Sequence, residues 1–369
     1  MVRVWGRSLF ILAVLVACSP RPDLVIADRA AEIGTPHKIF FASSRAPGEM
    51  GGLSETRAPD VAHGMAVVSV PPNHQIGRVE VTQGVPDPKD DFALAELRGL
   101  NGGAAFRAAL RAELASLPRG SRNAVIFVHG FNTNFAEGLF RAAQLTHDFQ
   151  MDGVSVHYAW PSRGSPVGYA YDRDSALFAR DGLEQLINDV NAAGAESVLL
   201  VGHSLGGHLS MEAMRQMSIR VPGSVGRKVD DVVLISPDMD VDVFRSQASQ
   251  IGTLPQPFLI FTSERDGALA LSARLSGEKN RLGNLKSAED VADLNVTIID
   301  VTEFSQLGDL GHFTVGSSPE LIRILRNQGT VSSLINADAS GRTGLAIGVV
   351  LTIQEATEII LTPVTAVAN

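Results

Sequence analysis

The pentapeptide Gly-His-Ser-Leu-Gly at positions 202–206 is the pattern in this sequence with the clearest chemical meaning. It lies between residues 198–201, an apolar run with the length of a buried strand, and a helix-like segment that begins at Leu205. A G-x-S-x-G turn from a strand into a helix strains the backbone of its serine and raises the hydroxyl above the sheet. Side chains at both glycine positions would clash. We therefore predict that Ser204 is a nucleophile; the alternative is a glycine-rich turn that only packs a helix on a sheet.

A serine hydroxyl is a weak nucleophile until a base removes its proton. In α/β hydrolases, whose strand–turn–helix arrangement this segment resembles, an acid and then a histidine follow the serine along the chain. The chain has nine histidines, of which His208 and His312 lie after Ser204. His208 would point along the surface of the helix, whereas His312 lies in a loop after the last strand-like run. We predict that His312 is the base; the alternative is a histidine of a surface loop.

The acid that orients the histidine is expected in a loop at the end of a later strand. Asp266 follows the strand-like residues 258–261, within the sequence Ser-Glu-Arg-Asp-Gly, and we predict that it is the acid. Glu264 competes in the same loop, and Asp238, at the end of the preceding strand, is the main rival. The acid orients the imidazole and stabilises its positive form without taking the proton itself.

Two backbone N–H groups must face the oxyanion of the tetrahedral intermediate. Leu205, the residue after the nucleophile, supplies the first, and the loop after an early strand supplies the second. The strand-like residues 124–128 end in His-Gly-Phe, which resembles the oxyanion loop of lipases and esterases. We predict that Phe131 is the second donor; the alternative is a plain turn that ends the strand. This set of groups needs no metal and no cofactor.

From residue 122 onward, strand-length apolar runs alternate with helical segments. This alternation predicts a mostly parallel sheet with helices on both faces, because runs that are apolar throughout are buried on both sides. The expected strands are residues 124–128, 154–160, 198–201, 232–235, 258–261 and 296–299, and the expected helices are 135–150, 173–193 and 205–219. Before residue 122 we expect strands at 38–41, 65–70 and 78–81, a Gly/Pro/Ser-rich loop at 43–64 and a helix at 93–117.

The same pattern divides the chain into five regions. They are a signal peptide (1–17), a lipidated tether (18–36), N-terminal strands and a helix that join the sheet (37–120), the catalytic core (121–326) and an apolar C-terminal tail of unclear role (327–369). The unbroken apolar stretch of the tail is too short to span a bilayer. We expect it to be a packed or surface-lying amphipathic segment.

The first residues are typical of a secretory signal peptide, with Arg3 and Arg7 before an apolar run at 8–17. The run ends in Leu-Val-Ala-Cys, which resembles a bacterial lipobox and implies cleavage before Cys18 and lipid attachment to it. We therefore expect a lipid-anchored, periplasm-facing protein of the bacterial cell envelope, with the outer membrane as one location. The alternative is a plain signal peptide and a chance cysteine. Because Cys18 is the only cysteine, an intrachain disulfide and a cysteine-based metal site are excluded.

The composition is typical of one large α/β domain with extensions, since 45% of the 369 residues are hydrophobic and 19% are charged. The formal net charge is −9. An acidic chain does not attract phosphate backbones, so nucleic acid is a poor partner. The expected partners are a small ester or acyl substrate and, through the lipid anchor, a membrane surface.

Taken together, the chemistry-bearing segments resemble DUF900, a family of α/β hydrolases of unknown function. The resemblance covers roughly residues 38–315 and rests on Phe-Val-His-Gly-Phe-Asn at 127–132, His-Tyr-Ala-Trp-Pro-Ser at 157–162, Tyr-Asp-Arg-Asp-Ser-Ala at 171–176, the pentapeptide at 202–206, Ser-Pro-Asp at 236–238 and Ser-Glu-Arg-Asp at 263–266. It implies a hydrolase, usually presumed to be an esterase, and supports Asp266 and His312 by position. It implies no defined substrate.

Two of these segments have open roles. Trp160 and Ser162 follow a strand at the edge of the sheet where ligands bind in open α/β folds, so they could line an acyl or alcohol pocket. They could equally form a structural turn with Trp160 in the core. Asp172 or Asp174 is expected to cap a helix, and His203 is expected to pack beside the nucleophile.

The sequence therefore predicts a serine hydrolase that cleaves carboxylic esters through an acyl-enzyme on Ser204. A thioesterase, a peptidase or an acyltransferase would use the same triad. A non-catalytic envelope binding protein on a hydrolase fold is the alternative from another class. A further alternative is a membrane-surface lipase whose C-terminal tail meets lipid.

Overall fold

The computed structural model describes residues 21–48, 52–277, 281–305, 311–326, 348–353 and 356–361. The strands are β1 (Thr35–Pro47), β2 (Leu53–Val70), β3 (Ala93–Leu100), β4 (Asn123–Val128), β5 (Val154–Ala159), β6 (Ser197–His203), β7 (Asp231–Ile235), β8 (Phe258–Thr262), β9 (Thr297–Asp300), β10 (Gly348–Ile353) and β11 (Ala356–Leu361). The α-helices are α1 (Ala30–Ile33), α2 (Gly102–Ser116), α3 (Phe135–Asp148), α4 (Tyr169–Ala193), α5 (Leu205–Arg220), α6 (Val241–Ile251), α7 (Gly267–Ser276), α8 (Thr314–Ser317) and α9 (Pro319–Arg326). None of these helices is long and apolar enough to cross a membrane.

These eleven strands form one sheet in the order β10-β11-β9-β8-β7-β6-β4-β5-β1-β2-β3. Neighbouring strands from β1 across the centre to β11 run parallel, and only the outer pairs β1–β2, β2–β3 and β10–β11 are antiparallel. The predicted fold class, a mostly parallel α/β sheet, is confirmed. The six strands expected after residue 122 correspond to β4–β9, and the three expected helices correspond to α3, α4 and α5.

Apolar side chains pack on both faces of the sheet, in two clusters. Successive residues of β4 show why: Ile126 and Val128 point into one cluster and Phe127 into the other, since side chains alternate along a strand. The first cluster includes Leu110 of α2, Leu183 of α4 and Leu209 of α5. The second cluster includes Leu139 of α3 and Leu321 of α9. The sheet is thus buried on both sides, as its continuous apolar strands require.

The prediction of a loop at residues 43–64 is wrong. Strands β1 and β2 continue through this region as a long antiparallel pair, with Ser43 opposite Ala62 and Arg45 opposite Arg57. Two register shifts interrupt the pairing. A composition rich in glycine, proline and serine indicates a loop, but pairing between the consecutive strands β1 and β2, with local bulges, accommodates these residues here.

Two further N-terminal expectations are corrected. The first third of the helix expected at 93–117 is strand β3, which pairs with β2. Helix α2 begins only at Gly102, whose φ is 79°. The glycines that would weaken the middle of the expected helix therefore lie at the start of the observed helix α2. Residues 78–81 form no strand, although Val79 and Val81 pack against the second apolar cluster.

The ends of the chain are packed more closely than the sequence indicated. The prediction of a tether at 18–36 is wrong for the second half of that range. There the backbone N–H of Ala27 donates to the Leu94 carbonyl at 2.8 Å, and Ser69 Oγ donates to the Ala30 carbonyl at 2.7 Å. Within the C-terminal tail, β11 lies between β9 and β10, and its Ile359 is buried. The signal peptide and Cys18 lie outside the described residues, as does most of the tail.

A buried histidine connects the loop after β2 to helix α3. His74 Nε2 lies 2.8 Å from Asp148 Oδ1, and His74 Nδ1 lies 2.9 Å from Glu80 Oε2. Burial lowers the pKa of His74, but hydrogen bonds to the two carboxylates outweigh it and raise the pKa to about 9. A pKa this high keeps the imidazole of His74 positively charged at neutral pH.

Candidate active site

Ser204 lies at the sharp turn between β6 and α5, with φ 55° and ψ −124°. Positive φ is unusual for a residue with a side chain and is strained, as expected of a serine raised above a sheet. A Cβ at Gly202 would lie 2.8 Å from the Gly207 Cα, and one at Gly206 would lie 2.3 Å from the Val128 carbonyl oxygen. Both approaches are to backbone atoms, so the turn needs both glycines.

His312 and Asp266 form a direct pair. His312 Nδ1 lies 2.8 Å from Asp266 Oδ2 and 3.1 Å from Oδ1. Asp266 is buried at the N-terminus of α7, where its Oδ1 also accepts from the Leu269 N–H at 2.9 Å. With the proton on Nδ1 directed at the carboxylate, Nε2 of His312 is left as the basic nitrogen.

This pair lies beside the turn that carries the serine. The rings of His312 and His203 have centroids 4.9 Å apart, and His203 Nε2 lies 3.1 Å from the His312 carbonyl oxygen. Because His203 directly precedes Ser204, the structure brings the three predicted triad residues into one region at the carboxyl edge of the sheet. His203 packs beside the nucleophile, as the sequence predicts.

The rival acids lie elsewhere. Asp238 accepts from Tyr169 Oη at 2.8 Å and from Ser272 Oγ at 2.6 Å, and it lies 3.3 Å from Arg281 Nε. Burial, with the Asp238 charge, raises the pKa of Tyr169 to about 12, so the phenol stays a donor to this carboxylate. Glu264 is exposed. The structure therefore pairs Asp266, and neither rival, with His312.

The loop after β4 lies against the serine. A Cβ at Gly130 would lie 2.9 Å from the Ser204 Cβ, so the two backbones are close. Among the described residues, the backbone N–H groups of Phe131 and Leu205 donate to no protein acceptor. The N–H of Leu205 is unpaired because it starts helix α5. Leu205 directly follows the serine and Phe131 directly follows Gly130, so both predicted donors belong to segments beside the serine.

Asp172 is the residue of this region whose role the sequence missed. It was expected to cap a helix, but the N-cap of α4 is Gly168, and Asp172 lies in the first turn with its carboxylate fully buried. Its Oδ2 accepts from Ser162 Oγ at 2.5 Å and from the Asn132 N–H at 3.3 Å, and its Oδ1 accepts from the Arg163 N–H at 2.7 Å. Burial raises the pKa of Asp172 although these donors lower it. The carboxylate connects helix α4 to the oxyanion loop.

The loop after β5 supports the same structure from behind. Trp160 is fully buried, and its Nε1 donates to the His129 carbonyl at 2.7 Å while its ring stacks on that of His129. Ser162 Oγ accepts from the Thr133 N–H at 3.1 Å. Both side chains are buried and hydrogen-bonded to the loop after β4, which favours the structural turn over a lining of the pocket. The end of β5 faces the neighbouring loop of β4 and not the solvent.

Arg45 completes this support from strand β1. Its guanidinium is buried and donates to the carbonyls of Thr133 at 2.8 Å and Ser162 at 3.0 Å. Burial lowers its pKa to about 10, against the opposing effect of the nearby Asp172 charge. The residue lies in the segment expected to be a loop, and no pattern in the sequence indicates its role.

The remaining histidines of this region are structural. Burial lowers the pKa values of His129 and His203 well below the usual range, and Arg45 adds to the effect at His129. Burial also lowers the pKa of His208, which lies within α5 as predicted. His312 is the histidine of this group that is hydrogen-bonded to a carboxylate, Asp266.

A cavity of about 300 Å³ opens beside these groups. Its volume is at the lower end of the range for small-ligand sites. The oxyanion loop, the turn at His203 and the loop after His312 contribute to its lining, which is Pro22, Val79, Val81, Phe127, His129, Gly130, Asn132, Thr133, Glu137, Arg141, His203 and Phe313. The lining combines apolar side chains with polar and charged ones, among them Glu137 and Arg141.

Comparison with known proteins places the chain in a family. The model of the family described as "Alpha/beta hydrolase of unknown function (DUF900)" matches residues 104–328, which is more than half of the chain. No protein of curated function is detectably similar in sequence.

Solved structures with a related sheet are distant. Lipase B of Aspergillus fumigatus is 17% identical, with 42% of this chain and 41% of the lipase covered and a TM-score of 0.28. MenH of S. aureus is 13% identical (58% and 94% covered, TM-score 0.30), and an esterase of Pyrococcus furiosus is 11% identical (76% and 86% covered, TM-score 0.32). The chain thus spans less than half the length of the lipase. The fold assignment rests on the sheet described above and on the family match.

Proposed function

This chain belongs to the DUF900 family of α/β hydrolases, and from that premise we propose that it is a serine hydrolase that cleaves carboxylic esters through an acyl-enzyme on Ser204. The observation that carries the proposal is the Asp266–His312 pair, at 2.8 Å, beside a serine with φ 55°. A protein that only binds its ligand has no need of a strained serine beside a histidine–carboxylate pair.

The reaction follows from the placement of these groups. Ser204 Oγ attacks the ester carbonyl carbon as His312 Nε2 takes the hydroxyl proton, while Asp266 holds the proton on Nδ1. The N–H groups of Phe131 and Leu205 donate to the oxyanion. The intermediate collapses to an acyl-enzyme, and the leaving alcohol takes the proton from His312. Water then attacks the acyl-enzyme with His312 as base, which releases the acid and restores the serine.

The electrostatics of the site support this chemistry. The oxyanion would form at the N-terminus of α5, a helix of 16 residues whose dipole favours negative charge at this end. Each oxyanion donor contributes about 2.7–4 kcal/mol to transition-state stabilisation in hydrolases of this type. The buried network of Asp172, Arg45 and Ser162 holds one of these donors without contacting the substrate.

We also propose that the protein is anchored to the bacterial cell envelope by lipid on Cys18, facing the periplasm. The lipobox-like sequence Leu-Val-Ala-Cys at 15–18 supports this anchor. Multiple acyl chains on one cysteine are enough for stable attachment to a membrane.

The test uses the soluble chain from Ser19 onward, as wild type, Ser204→Ala and the control Ser218→Ala. Ser218 lies in the same helix α5 and donates to the Arg215 carbonyl. On p-nitrophenyl esters from acetate to palmitate, we expect turnover by the wild type and the control and a loss of at least about 1,000-fold in Ser204→Ala. Equal rates in wild type and Ser204→Ala would contradict the proposal.

Labelling with a fluorophosphonate probe extends this test to other acyl substrates. Labelling that depends on Ser204, without turnover of any of the esters, would indicate a thioesterase, a peptidase or an acyltransferase. A folded wild-type protein that is neither labelled nor active would favour the binding protein.

A further inference from the structure

The first described residue of the chain contacts the oxyanion loop. The Arg21 guanidinium donates to Asn132 Oδ1 at 2.7 Å and lies 3.3 Å from Glu137 Oε2. Asn132 directly follows Phe131, the proposed oxyanion donor. Glu137 belongs to the capping box of helix α3, in which its carboxylate accepts from the Asn134 N–H at 2.7 Å. Arg21 is therefore attached to the rigid start of α3 as well as to the loop.

The residues after Arg21 are also fixed on the domain. Pro22 is buried and lines the cavity beside the serine. Leu24 packs against the second apolar cluster, and Ile26 forms a bridge with Leu94 of β3. The segment from Arg21 to Ala27 is thus docked along the domain and places its N-terminal end at the mouth of the cavity.

This placement limits where a lipid anchor can be. Cys18 precedes Arg21 by three residues, and an extended chain spans at most about 3.6 Å per residue. The Cα of Cys18 therefore lies no more than about 11 Å from that of Arg21. Acyl chains on Cys18 must enter the bilayer, so the anchor would hold the membrane surface close to Arg21 and to the cavity that Pro22 lines.

The two most exposed large apolar side chains of the described residues lie in loops that contact Arg21 or continue from the cavity wall. Val167 is 94% exposed and Val85 is 78% exposed. Val167 lies in the loop of Gly164, where an added Cβ would be 3.0 Å from the Arg21 guanidinium, and Val85 follows Val81 of the cavity wall by four residues. A single exposed valine indicates little. Two in loops next to Arg21 and the cavity wall offer apolar side chains that could meet lipid.

We propose that the anchor on Cys18 holds the mouth of the cavity against the bilayer, so that the substrate is an ester-linked acyl lipid resident in that membrane. This inference rests on the proposed hydrolase activity and names its substrate class. It also moves the lipid-facing surface from the C-terminal tail, where the sequence analysis placed it for a lipase, to the N-terminal segment. The described part of the tail, β10 and β11, forms strands of the sheet.

The experiment changes the length of the anchor and nothing else. The full chain, lipidated in a bacterial host and confirmed by mass spectrometry, is reconstituted into phosphatidylcholine vesicles. A variant carries a flexible insertion of about 20 glycine and serine residues between Ser19 and Pro20, which adds a root-mean-square length of about 25 Å. Rates are measured on p-nitrophenyl acetate in water and on a fluorogenic long-chain diacylglycerol ester in the vesicles.

We expect the insertion to leave the rate on the soluble ester unchanged and to lower the rate on the vesicle ester at least five-fold. The double variant Val85→Asp/Val167→Asp should lower the ratio of vesicle to soluble rate in the same direction. Val243→Asp, at an exposed valine of α6, is the matched control and should leave that ratio unchanged.

An unchanged ratio in both the insertion and the double variant would overturn the inference, and so would a mature protein without lipid on Cys18. Failure of the proposed function would give a different result. The wild type would then be inactive on both esters, or Ser204→Ala would stay active, and either outcome would count against the catalytic site itself.

Discussion

Replacing Asp172 by asparagine should slow the chemical step although Asp172 contacts no substrate. Its Oδ2 accepts from Ser162 Oγ and from the Asn132 N–H, and Asn132 is the neighbour of the oxyanion donor Phe131. The amide of asparagine keeps one acceptor oxygen and places an NH2 group where the other oxygen was. Whichever way the amide turns, at least one buried donor loses its acceptor.

The size of the effect follows from these bonds. A hydrogen bond to a charged group contributes about 1.5–3 kcal/mol, so losing one or two lowers the free energy of unfolding by about 3 kcal/mol. Complete loss of an oxyanion donor costs about 100- to 1,000-fold in kcat. Because Arg45 still holds the Thr133 carbonyl at 2.8 Å, the loop is displaced only in part. We expect kcat to fall about 10- to 100-fold with little change in KM.

The assay compares wild type, Asp172→Asn and Asp174→Asn on one p-nitrophenyl ester, well below the melting temperature of each. Asp174 is exposed on the same helix, two residues further on, so it gives the same change of charge without the buried contacts. Asp174→Asn should stay within two-fold of wild type. An Asp172→Asn variant with lower stability but wild-type kcat would refute the reasoning, since the carboxylate would then only stabilise the fold.

Three other perturbations test other parts of the molecule. Asp266→Asn should lower kcat about 1,000- to 10,000-fold, whereas Asp238→Asn should lower the melting temperature without that loss; the reverse result would reassign the acid. Gly130→Ala should lower kcat about 100-fold, because its Cβ would lie 2.9 Å from that of Ser204, and an unchanged rate would place the oxyanion loop elsewhere. The pKa of His74, about 9, lies above that of a histidine in the unfolded chain. The charged imidazole therefore contributes about 3 kcal/mol to the free energy of unfolding below pH 6.5, and this contribution is lost as the pH rises through 9. In urea unfolding at pH 6 and pH 9.5, His74→Gln should remove this pH dependence, and equal slopes in both proteins would contradict it.

The sequence by itself determined the parts of the protein that depend on local patterns. Apolar runs of strand length between helical segments predicted β4–β9 and α3–α5, because strands buried on both faces are apolar throughout and the helices between them are amphipathic. The two glycines on either side of Ser204, within one pentapeptide, reflect the lack of space for side chains in this turn. The order of acid and histidine along the chain narrowed the partners of Ser204 to a few residues.

Only the tertiary structure decided among those few. Asp266 and Asp238 follow adjacent parallel strands, β8 and β7, so both reach the same edge of the sheet and the sequence ranks them only by analogy. In the folded chain Arg281 and Tyr169 already engage Asp238, and Asp266 is the carboxylate within hydrogen-bonding distance of His312.

Tertiary structure also decided the support of the site. Arg45 lies 88 residues from Thr133, and Arg21 lies 111 residues from Asn132. The composition around Arg45 indicated a loop, and the composition around Arg21 indicated a tether. Strand β11 is a further example. It belongs to the segment expected to be an apolar tail, but it pairs with β9 in the sheet. Local sequence records which face of an element is buried, but contacts between distant segments depend on which surfaces meet when the chain packs, and no short pattern encodes that.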